Sequence, residues 1–270
     1  MSQQSKSHGR KSISANLQPR ALMTPSPQLA GVWTAQILTL FPEAFPGVLG
    51  ESLTGRALKD GKWALDTIDL RLFGEGKHRN VDDTPAGGGA GMVLKPNVAG
   101  AALDRALAQQ KTPLPMVCLS PRGMPFTQAK ARAWANAGGV TMLCGRFEGI
   151  DQRVIDHYQL EEISLGDFVL TGGEIAAQAM IDATVRLLPD ILGNEASIAE
   201  ESHMAGLLEH PHYTRPALWN GRSIPDVLQS GHHINIAKWR QEMSHQVTKE
   251  KRPDLWAAFQ NALGEKDPKG

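Results

Sequence analysis

The sequence has little of what marks secreted or membrane-embedded proteins. Its 270 residues include only two cysteines, Cys118 and Cys144, and both lie inside apolar stretches. A disulfide framework is therefore excluded, and a reducing compartment, the cytoplasm, is favoured. No apolar run approaches the ~18–20 residues that a membrane-spanning helix needs, so we expect no membrane association.

An excess of charge of one sign is also missing. The 28 lysines and arginines balance the 28 aspartates and glutamates, so overall basicity does not indicate a nucleic-acid partner, although a local patch still can bind one. Apolar residues make up 41% of the chain, beside 27 glycines and 17 prolines. This composition is typical of a globular protein with many tight turns, and it excludes a fibrous or wholly disordered chain.

Residues 1–30 differ in composition from the rest. They are rich in Ser, Gln and Pro and show no apolar periodicity, and the first acidic residue of the chain is Glu43. The basic residues of this stretch are Lys6, Arg10, Lys11 and Arg20. A disordered tail, an organelle transit peptide and a basic arm for RNA all fit. Because no clear amphipathic helix is present, we favour a disordered extension.

From Val32 onward the pattern is that of an α/β protein. Short apolar runs bounded by Pro or Gly are typical of parallel strands covered on both faces. They occur at Val32–Phe41, Leu114–Leu119 and Val140–Cys144, and a further strand ends near Ser164. Helices are predicted over Ala129–Ala137, with Thr127 as N-cap, and over Glu174–Leu188, before Pro189. Strands that alternate with helices predict a parallel sheet with helices on both faces.

The character of the chain changes after Gly193. The next stretch is polar, and beyond Met204 only helix-like segments follow, with no strong strand. These segments are Asp226–Gln229, His233–Val247 and Asp254–Leu263. We therefore predict an α/β domain over residues 31–193, a flexible linker over 194–204 and a small helical domain over 205–270.

Three glycine-containing loops follow predicted strands, at residues 119–123, 145–149 and 165–173. Ligands of open α/β sheets lie outside the carboxyl ends of the strands, so these loops are expected to wall a pocket, although each alone also fits a simple turn. The run Gly87–Gly91 lacks the Gly-Lys-Ser/Thr of a P-loop. It also lacks the preceding strand and the ribose-binding acid of a dinucleotide fold, so neither ATP hydrolysis nor hydride transfer is supported.

Seven motifs, in order along the chain, resemble those of the bacterial tRNA (guanine-N1)-methyltransferases of the SPOUT superfamily. The resemblance runs from about Thr34 to Leu255 and leaves the first 30 residues outside. The motifs are LFPEAFPGVLGESLTGRAL (40–58), GGGAGMVLKP (87–96), GRFEGID (145–151), SLGDFVLTGGE (164–174), Asp182-x-x-x-Arg186, HPHYTRP (210–216) and SGHHINIAKWR (230–240).

The resemblance implies a fold, a cofactor and a substrate. It implies an α/β domain ending in a trefoil knot, a homodimer with active sites shared between subunits, and a helical domain that binds tRNA. The methyl donor is S-adenosyl-L-methionine, and the target is N1 of the guanosine immediately 3′ of the anticodon, position 37. The implied cofactor residues are Leu119, Ser120, Pro121, Gly145, Phe147, Glu148, Gly149, Leu165, Gly166, Asp167, Phe168, Val169, Leu170, Gly172 and Gly173.

The resemblance also implies two catalytic residues. Guanine N1 needs a base to remove its proton and a cationic donor for the charge that develops on O6. Arg186 matches the family's catalytic arginine, although by spacing alone it is an i,i+4 partner of Asp182. Glu201 stands where the family has an aspartate. We expect it to be the base, with Glu200 as its rival; alternatively, both acids only favour a helix N-terminus.

The metal ligands are unknown from the sequence. The family depends on Mg²⁺, which Glu148 would serve, although a carboxylate between glycines also caps a turn. His210, His212, His232 and His233 have no nearby cysteine and no common zinc spacing, so we do not expect zinc.

The aromatic and basic residues of the C-terminal region are suited to phosphates and unpaired bases. They are the histidines with Tyr213, Arg215, Trp239 and Arg240, although Trp239 is also expected to pack in a helical core. Three other functions stay open: a SPOUT enzyme acting on another RNA or position, an RNA-binding protein without catalysis, and a general metabolic α/β enzyme.

Overall fold

The structure, a computed structural model, describes residues 31–192, 202–203 and 206–264. The first two strands are β1 (Trp33–Thr39) and β2 (Trp63–Asp69). A short hairpin of β3 (Asp82–Asp83) and β4 (Val93–Leu94) follows. The next three strands are β5 (Met116–Pro125), β6 (Gly139–Cys144) and β7 (Glu161–Ser164). The five long strands form one parallel sheet in the order β2-β1-β6-β5-β7. The parallel α/β fold predicted from the sequence is confirmed.

Two apolar cores cover the two faces of this sheet. The helices are α1 (Ser52–Lys59), α2 (Pro96–Gln109), α3 (Gln128–Asn136), α4 (Gln152–Tyr158) and α5 (Glu174–Val185). Helices α1, α3 and α5 contribute to one core, and α2 and α4 to the other. Alternate residues of β6 point to opposite cores, Met142 to the first and Leu143 to the second. Burial on both faces explains why β6 and the first part of β5 are short apolar runs.

The ends of the predicted elements shift by a few residues. Thr127 caps α3 as predicted, because its hydroxyl accepts a hydrogen bond from the Lys130 N–H at 3.2 Å. Helix α5 ends at Val185 instead of Leu188. Strand β2 and helices α1, α2 and α4 have no counterpart among the predicted elements.

A small hairpin corrects the expectation that no strand follows Met204. Strands β8 (Leu218–Trp219) and β9 (Arg222–Ser223) pair antiparallel around Asn220 and Gly221, which both have positive φ. Asn-Gly is a strong signal for such a turn, and its two-residue strands are too short to show a periodic pattern. The helices α6 (Asp226–Gln229), α7 (His233–Lys251) and α8 (Pro253–Gly264) follow.

Helices α7 and α8 pack on one another, with His245 against the rings of Trp256 and Phe259. Thr248 is fully buried and ties the preceding segment to α7, since its hydroxyl accepts from the Leu208 N–H at 2.8 Å. None of the helices within the described ranges is long and apolar enough to cross a membrane. The predictions for residues 1–30 lie outside these ranges, as does most of the linker predicted over 194–204.

Replacing Thr127 by Ala should lower the free energy of unfolding by about 1 kcal/mol, because the N-cap of α3 loses its hydrogen bond. Urea denaturation followed by circular dichroism measures this change. Thr127→Ser keeps the hydroxyl and should unfold close to the unsubstituted midpoint. Equal stability of the Ala and Ser variants would contradict the capping role.

Candidate functional site

A cavity of about 300 Å³ lies at the carboxyl ends of β6 and β7 and beside residues 118–122 in the middle of β5. All three glycine-containing loops predicted from the sequence contribute to its wall. Its size is at the lower end of the range for small-molecule sites, and it stands where parallel sheets place their ligands.

Thirteen of the fifteen residues proposed to contact a cofactor line this cavity. They are Leu119, Ser120, Pro121, Gly145, Phe147, Glu148, Gly149, Leu165, Phe168, Val169, Leu170, Gly172 and Gly173. Gly166 and Asp167 belong to the third loop but do not line the cavity. Arg122, Arg146, Glu162 and Thr171 also line it. Sequence reasoning did not single out these four, although Arg146 and Thr171 lie inside the quoted motifs.

The first loop interrupts a strand, which corrects the prediction that the strand ends at Leu119. Leu119 and Met124 both pair with Ile163 of β7, so the residues between them are looped out of the sheet. Arg122 in this bulge donates from Nε to Glu162 and from Nη2 to Gln152, both at 2.7 Å. The bulge places Ser120 and Pro121 in the wall of the cavity.

The second loop follows β6 and is supported by the β3–β4 hairpin. The Glu148 N–H donates to the Met92 carbonyl at 2.9 Å, and the Leu94 N–H donates to the Gly149 carbonyl at 3.0 Å. Phe147 adopts a φ of +60°, an uncommon conformation for a residue with a side chain. Gly91 allows the carboxylate of Glu148 to lie close to the hairpin backbone. Within the run Gly87–Gly91, Gly91 is thus the residue that packs against this loop.

The third loop is joined to the second by the backbone. The Gly173 N–H donates to the Gly145 carbonyl at 3.0 Å. A Cβ on Gly173 would lie 2.8 Å from the Cα of Cys144, so this approach requires glycine. At the start of the loop, the Ser164 hydroxyl donates to the Gly166 carbonyl at 2.8 Å.

An ion pair spans the base of the same two loops. Nη2 of Arg146 lies 2.8 Å from Oε2 of Glu174, and Nη1 donates to the Thr171 carbonyl at 3.2 Å. The other carboxylate oxygen of Glu174 accepts from the Thr39 hydroxyl at 2.7 Å. The charged groups of this network therefore connect β1, the second loop, the third loop and α5.

The two cysteines are unsuited to act as nucleophiles. Cys118 lines the cavity, but burial, together with the nearby Glu162, raises the pKa of its thiol to about 12. Burial likewise raises the pKa of Cys144 well above its usual value, and Glu174 adds to the shift. Reactive cysteines have the opposite shift, so these two have a structural role.

Arg186 lies away from the cavity of its own chain. Helix α5 begins beside the cavity at Gly173, and Arg186 follows its last residue, with its N–H bonded to the Asp182 carbonyl at 3.2 Å. A 12-residue helix is about 18 Å long, so the two features stand at opposite ends of α5. The Asp182 carboxylate accepts from the Thr54 hydroxyl at 3.1 Å. Glu200 and Glu201 lie outside the described residues.

The rings of His210, Tyr213 and Trp239 come together in the C-terminal region, with Trp239 on α7. The Trp239 ring, which is partly buried, meets His210 at 6.2 Å and Tyr213 at 6.1 Å between ring centroids. His212 lies 3.0 Å from the Glu209 carboxylate. Across the described ranges, no group of three or more His, Cys, Asp or Glu side chains is arranged to hold a metal ion.

These features define a protein of the parallel α/β class with a cavity suited to a small ligand. Comparison with known proteins shows to which family it belongs. Residues 34–258 match the family model described as tRNA (guanine-1)-methyltransferase TrmD. A tRNA (guanine-N(1)-)-methyltransferase of Ruegeria pomeroyi is 64% identical over 88% of this chain and 98% of its own length. A protein of the same name from Cereibacter sphaeroides is 64% identical over 89% of this chain and 97% of its own length. Another, from Brucella suis, is 55% identical over 88% of this chain and 96% of its own length. The chain belongs to the tRNA (guanine-1)-methyltransferase family.

Replacing Gly172 by Ala should move Arg146, because the added Cβ would lie 2.1 Å from its Nε. Such overpacking costs about 1–3 kcal/mol in unfolding free energy. Chemical denaturation measures the loss. Gly100→Ala is the control, because its Cβ would meet only Tyr158, at 3.4 Å from the hydroxyl oxygen and 3.8 Å from Cε2. Since Gly100 lies inside α2, this substitution should be neutral or stabilising. Equal stability of the two variants would contradict the predicted clash.

The raised thiol pKa values predict a pH dependence of stability. In the folded protein the cysteines stay protonated above their usual pKa of 9.0. The contribution of the protonated thiols to the free energy of unfolding is therefore complete below about pH 9. It is lost as the pH rises toward 12, because only the thiols of the unfolded protein ionise.

The same burial predicts slow chemical labelling of the cysteines. Native protein at pH 8 should react with a thiol reagent only at its unfolding rate. Rapid labelling of folded protein would contradict this prediction.

Proposed function

We propose that the protein transfers the methyl group of S-adenosyl-L-methionine to N1 of the guanosine at position 37 of tRNA, where another guanosine precedes it. The observation that carries this proposal is the convergence of the three loops on one cavity in a member of this family. The names of the three relatives support the class of substrate and the atom that is methylated.

The cavity suits this methyl donor. Gly145, Gly172 and Gly173 lie in its wall, and their lack of side chains lets the three loops pack closely around it. Backbone N–H and carbonyl groups can recognise an adenine edge, and Glu148 in the wall adds a negative charge that complements a cationic ligand. The charge of Glu162, in contrast, is paired with Arg122 at 2.7 Å. When bound, the cofactor supplies an activated methyl group on a sulfonium. The fifteen residues of the three loops, Gly166 and Asp167 included, are the proposed contacts.

A homodimer would bring Arg186 to an active site. Arg186 is about 18 Å from its own cavity along α5, so it would act at the cavity of a partner subunit. Exposed apolar side chains lie on α5 or in the loop before it, namely Phe168, Val169 and Ile175, and Val48 lies in the segment Gly47–Gly50, which contacts α5. Such clusters mark protein interfaces. Ile175, on α5 itself, is 62% exposed in the single chain.

Glu201 is the proposed base, and its neighbours connect it to the helical region. The Ser202 hydroxyl accepts from the Glu209 N–H at 2.9 Å, and Leu208 is bonded to Thr248 of α7. A carboxylate next to Ser202 would lie near RNA bound by α7 and could therefore reach the guanine of that RNA. Glutamate is longer by one methylene than the family's aspartate, and near-attack geometry tolerates displacements of about 1 Å poorly, so the linker has to absorb the difference.

The proposed reaction needs no nucleophilic side chain. Glu201 takes the proton of guanine N1, whose lone pair then forms the bond to the methyl carbon while the carbon–sulfur bond breaks. Arg186 donates to O6 as negative charge develops there. The three loops hold the reacting atoms in line, which lowers the entropic part of the barrier.

The remaining parts of the proposal follow the family. They are a trefoil knot in the α/β domain, residues 31–193; a flexible linker, 194–204; and a tRNA-binding helical domain, 205–270. The cluster of Trp239 with His210 and Tyr213 supports RNA binding by this domain. The proposed location is the cytoplasm. Mg²⁺ remains a proposed requirement, although the described residues offer no cluster of ligands for it.

Methyl transfer from labelled cofactor to a tRNA transcript with guanosines at positions 36 and 37 tests the function. We expect label on this transcript and none when guanosine 37 is replaced by adenosine. Single-turnover rates should fall about 10²–10⁴-fold in Glu201→Gln and about 10²–10³-fold in Arg186→Ala.

Glu200→Gln is the matched control for the base and should remain active. An active Glu201→Gln together with an inactive Glu200→Gln would reassign the base to Glu200. If the protein binds the cofactor but labels neither transcript, guanosine 37 of tRNA is not its substrate. This outcome would favour another RNA or a binding protein without catalysis.

A further inference from the structure

We infer that Glu174 is a positioning residue for the cofactor cavity and that it acts through Arg146. This inference rests on the proposed function, because it assigns a role in the binding of the methyl donor. Glu174 does not line the cavity. It begins α5 directly behind the third loop, and its side chain is 95% buried.

The burial of Glu174 requires compensation, because a carboxylate removed from water is costly unless it is paired and hydrogen-bonded. Thr39 donates to Oε1 at 2.7 Å, and Arg146 lies 2.8 Å from Oε2. The Thr39 hydroxyl also accepts from the Phe41 N–H at 3.0 Å, which fixes the end of β1. The carboxylate is therefore held by the sheet, which makes it a rigid anchor for Arg146.

Arg146 is the part of this network that reaches the cavity. Its guanidinium stands 4.4 Å from the centroid of the Phe41 ring, and Nη1 donates to the Thr171 carbonyl at 3.2 Å. Gly172 has no side chain, which leaves the space that Arg146 occupies. A planar guanidinium can hold a carboxylate, a carbonyl and an aromatic face at once, and a lysine cannot.

The consequence is a fixed separation between two loops. Arg146 belongs to the second loop and Thr171 to the third, and Glu174 orients the guanidinium that joins them. Near this bridge, the Gly173 N–H is bonded to the Gly145 carbonyl. Loss of the Glu174 charge would release Arg146 from its anchor and let the third loop shift. The affinity for the cofactor should then fall, because these loops form walls of the cavity.

Glu174→Gln tests the inference with little change in shape, since Gln can still accept from Thr39 but presents an amide N–H₂ to Arg146. Calorimetric titration with S-adenosyl-L-methionine should show Kd raised by about tenfold or more, as expected when a charge-assisted contact is lost. KM for the cofactor should rise alike, while KM for tRNA stays within about twofold, because the charged contact touches only cofactor loops. The exposed ion pair of Lys130 with Glu161 provides the control, and Glu161→Gln should leave both constants unchanged.

A double-mutant cycle tests whether Glu174 acts through Arg146. Arg146→Met should weaken cofactor binding, and adding Glu174→Gln to it should weaken binding no further. Additive effects would overturn the proposed route, and an unchanged Kd in folded Glu174→Gln would overturn the inference. A lower melting temperature with unchanged Kd and KM would reduce Glu174 to a purely structural residue.

A second variant covers the case in which Glu174→Gln does not fold. Arg146→Lys keeps the positive charge but cannot reach both Glu174 and Thr171, so its cofactor Kd should also rise. An unchanged Kd in that folded variant would overturn the inference. Failure of the unsubstituted protein to bind or transfer the methyl group would instead refute the proposed function, and the inference with it.

Discussion

The pairing of β5 with both β6 and β7 is the constraint on which the site depends. Parallel pairing brings the carboxyl ends of three strands to one edge, so loops far apart in the chain become neighbours. The backbone bond between Gly173 and Gly145 then joins two of these loops directly. Glycine is needed there because β6 leaves no space for a side chain. The cavity therefore follows from strand order together with a few positions that tolerate no Cβ.

Much of the fold could be predicted because its strands are buried on both faces. Strands β1 and β6 are fully buried and largely apolar, as is β5 as far as Leu119, and the hydroxyl of Thr127 marks the start of α3. Strand β2 escaped prediction because it lies at the sheet edge, where polar residues such as Asp66 interrupt the apolar pattern. Burial raises the pKa of the Asp66 carboxyl, and a hydrogen bond from Gln36 opposes that shift.

The candidate site was predicted in its loops but not in their support. The glycines and the family motifs indicate which backbone surrounds the cavity. Neither indicates that residues 120–123 leave the sheet, because that bulge depends on the register between β5 and β7. The partnership of Arg146 with Glu174 was also beyond the sequence, since the two residues meet only after β6 and α5 pack together.

Helix α5 sets the distance between the cavity and Arg186 through its regular backbone. The helix begins at the third loop and ends directly before Arg186. Inserting one residue in its middle would advance Arg186 by about 1.5 Å and rotate it by about 100° around the axis. Substitutions on the surface of α5 leave this spacing unchanged, whereas a change in its length alters both the distance and the direction of Arg186. The number of residues in α5 therefore fixes how far Arg186 lies from the third loop.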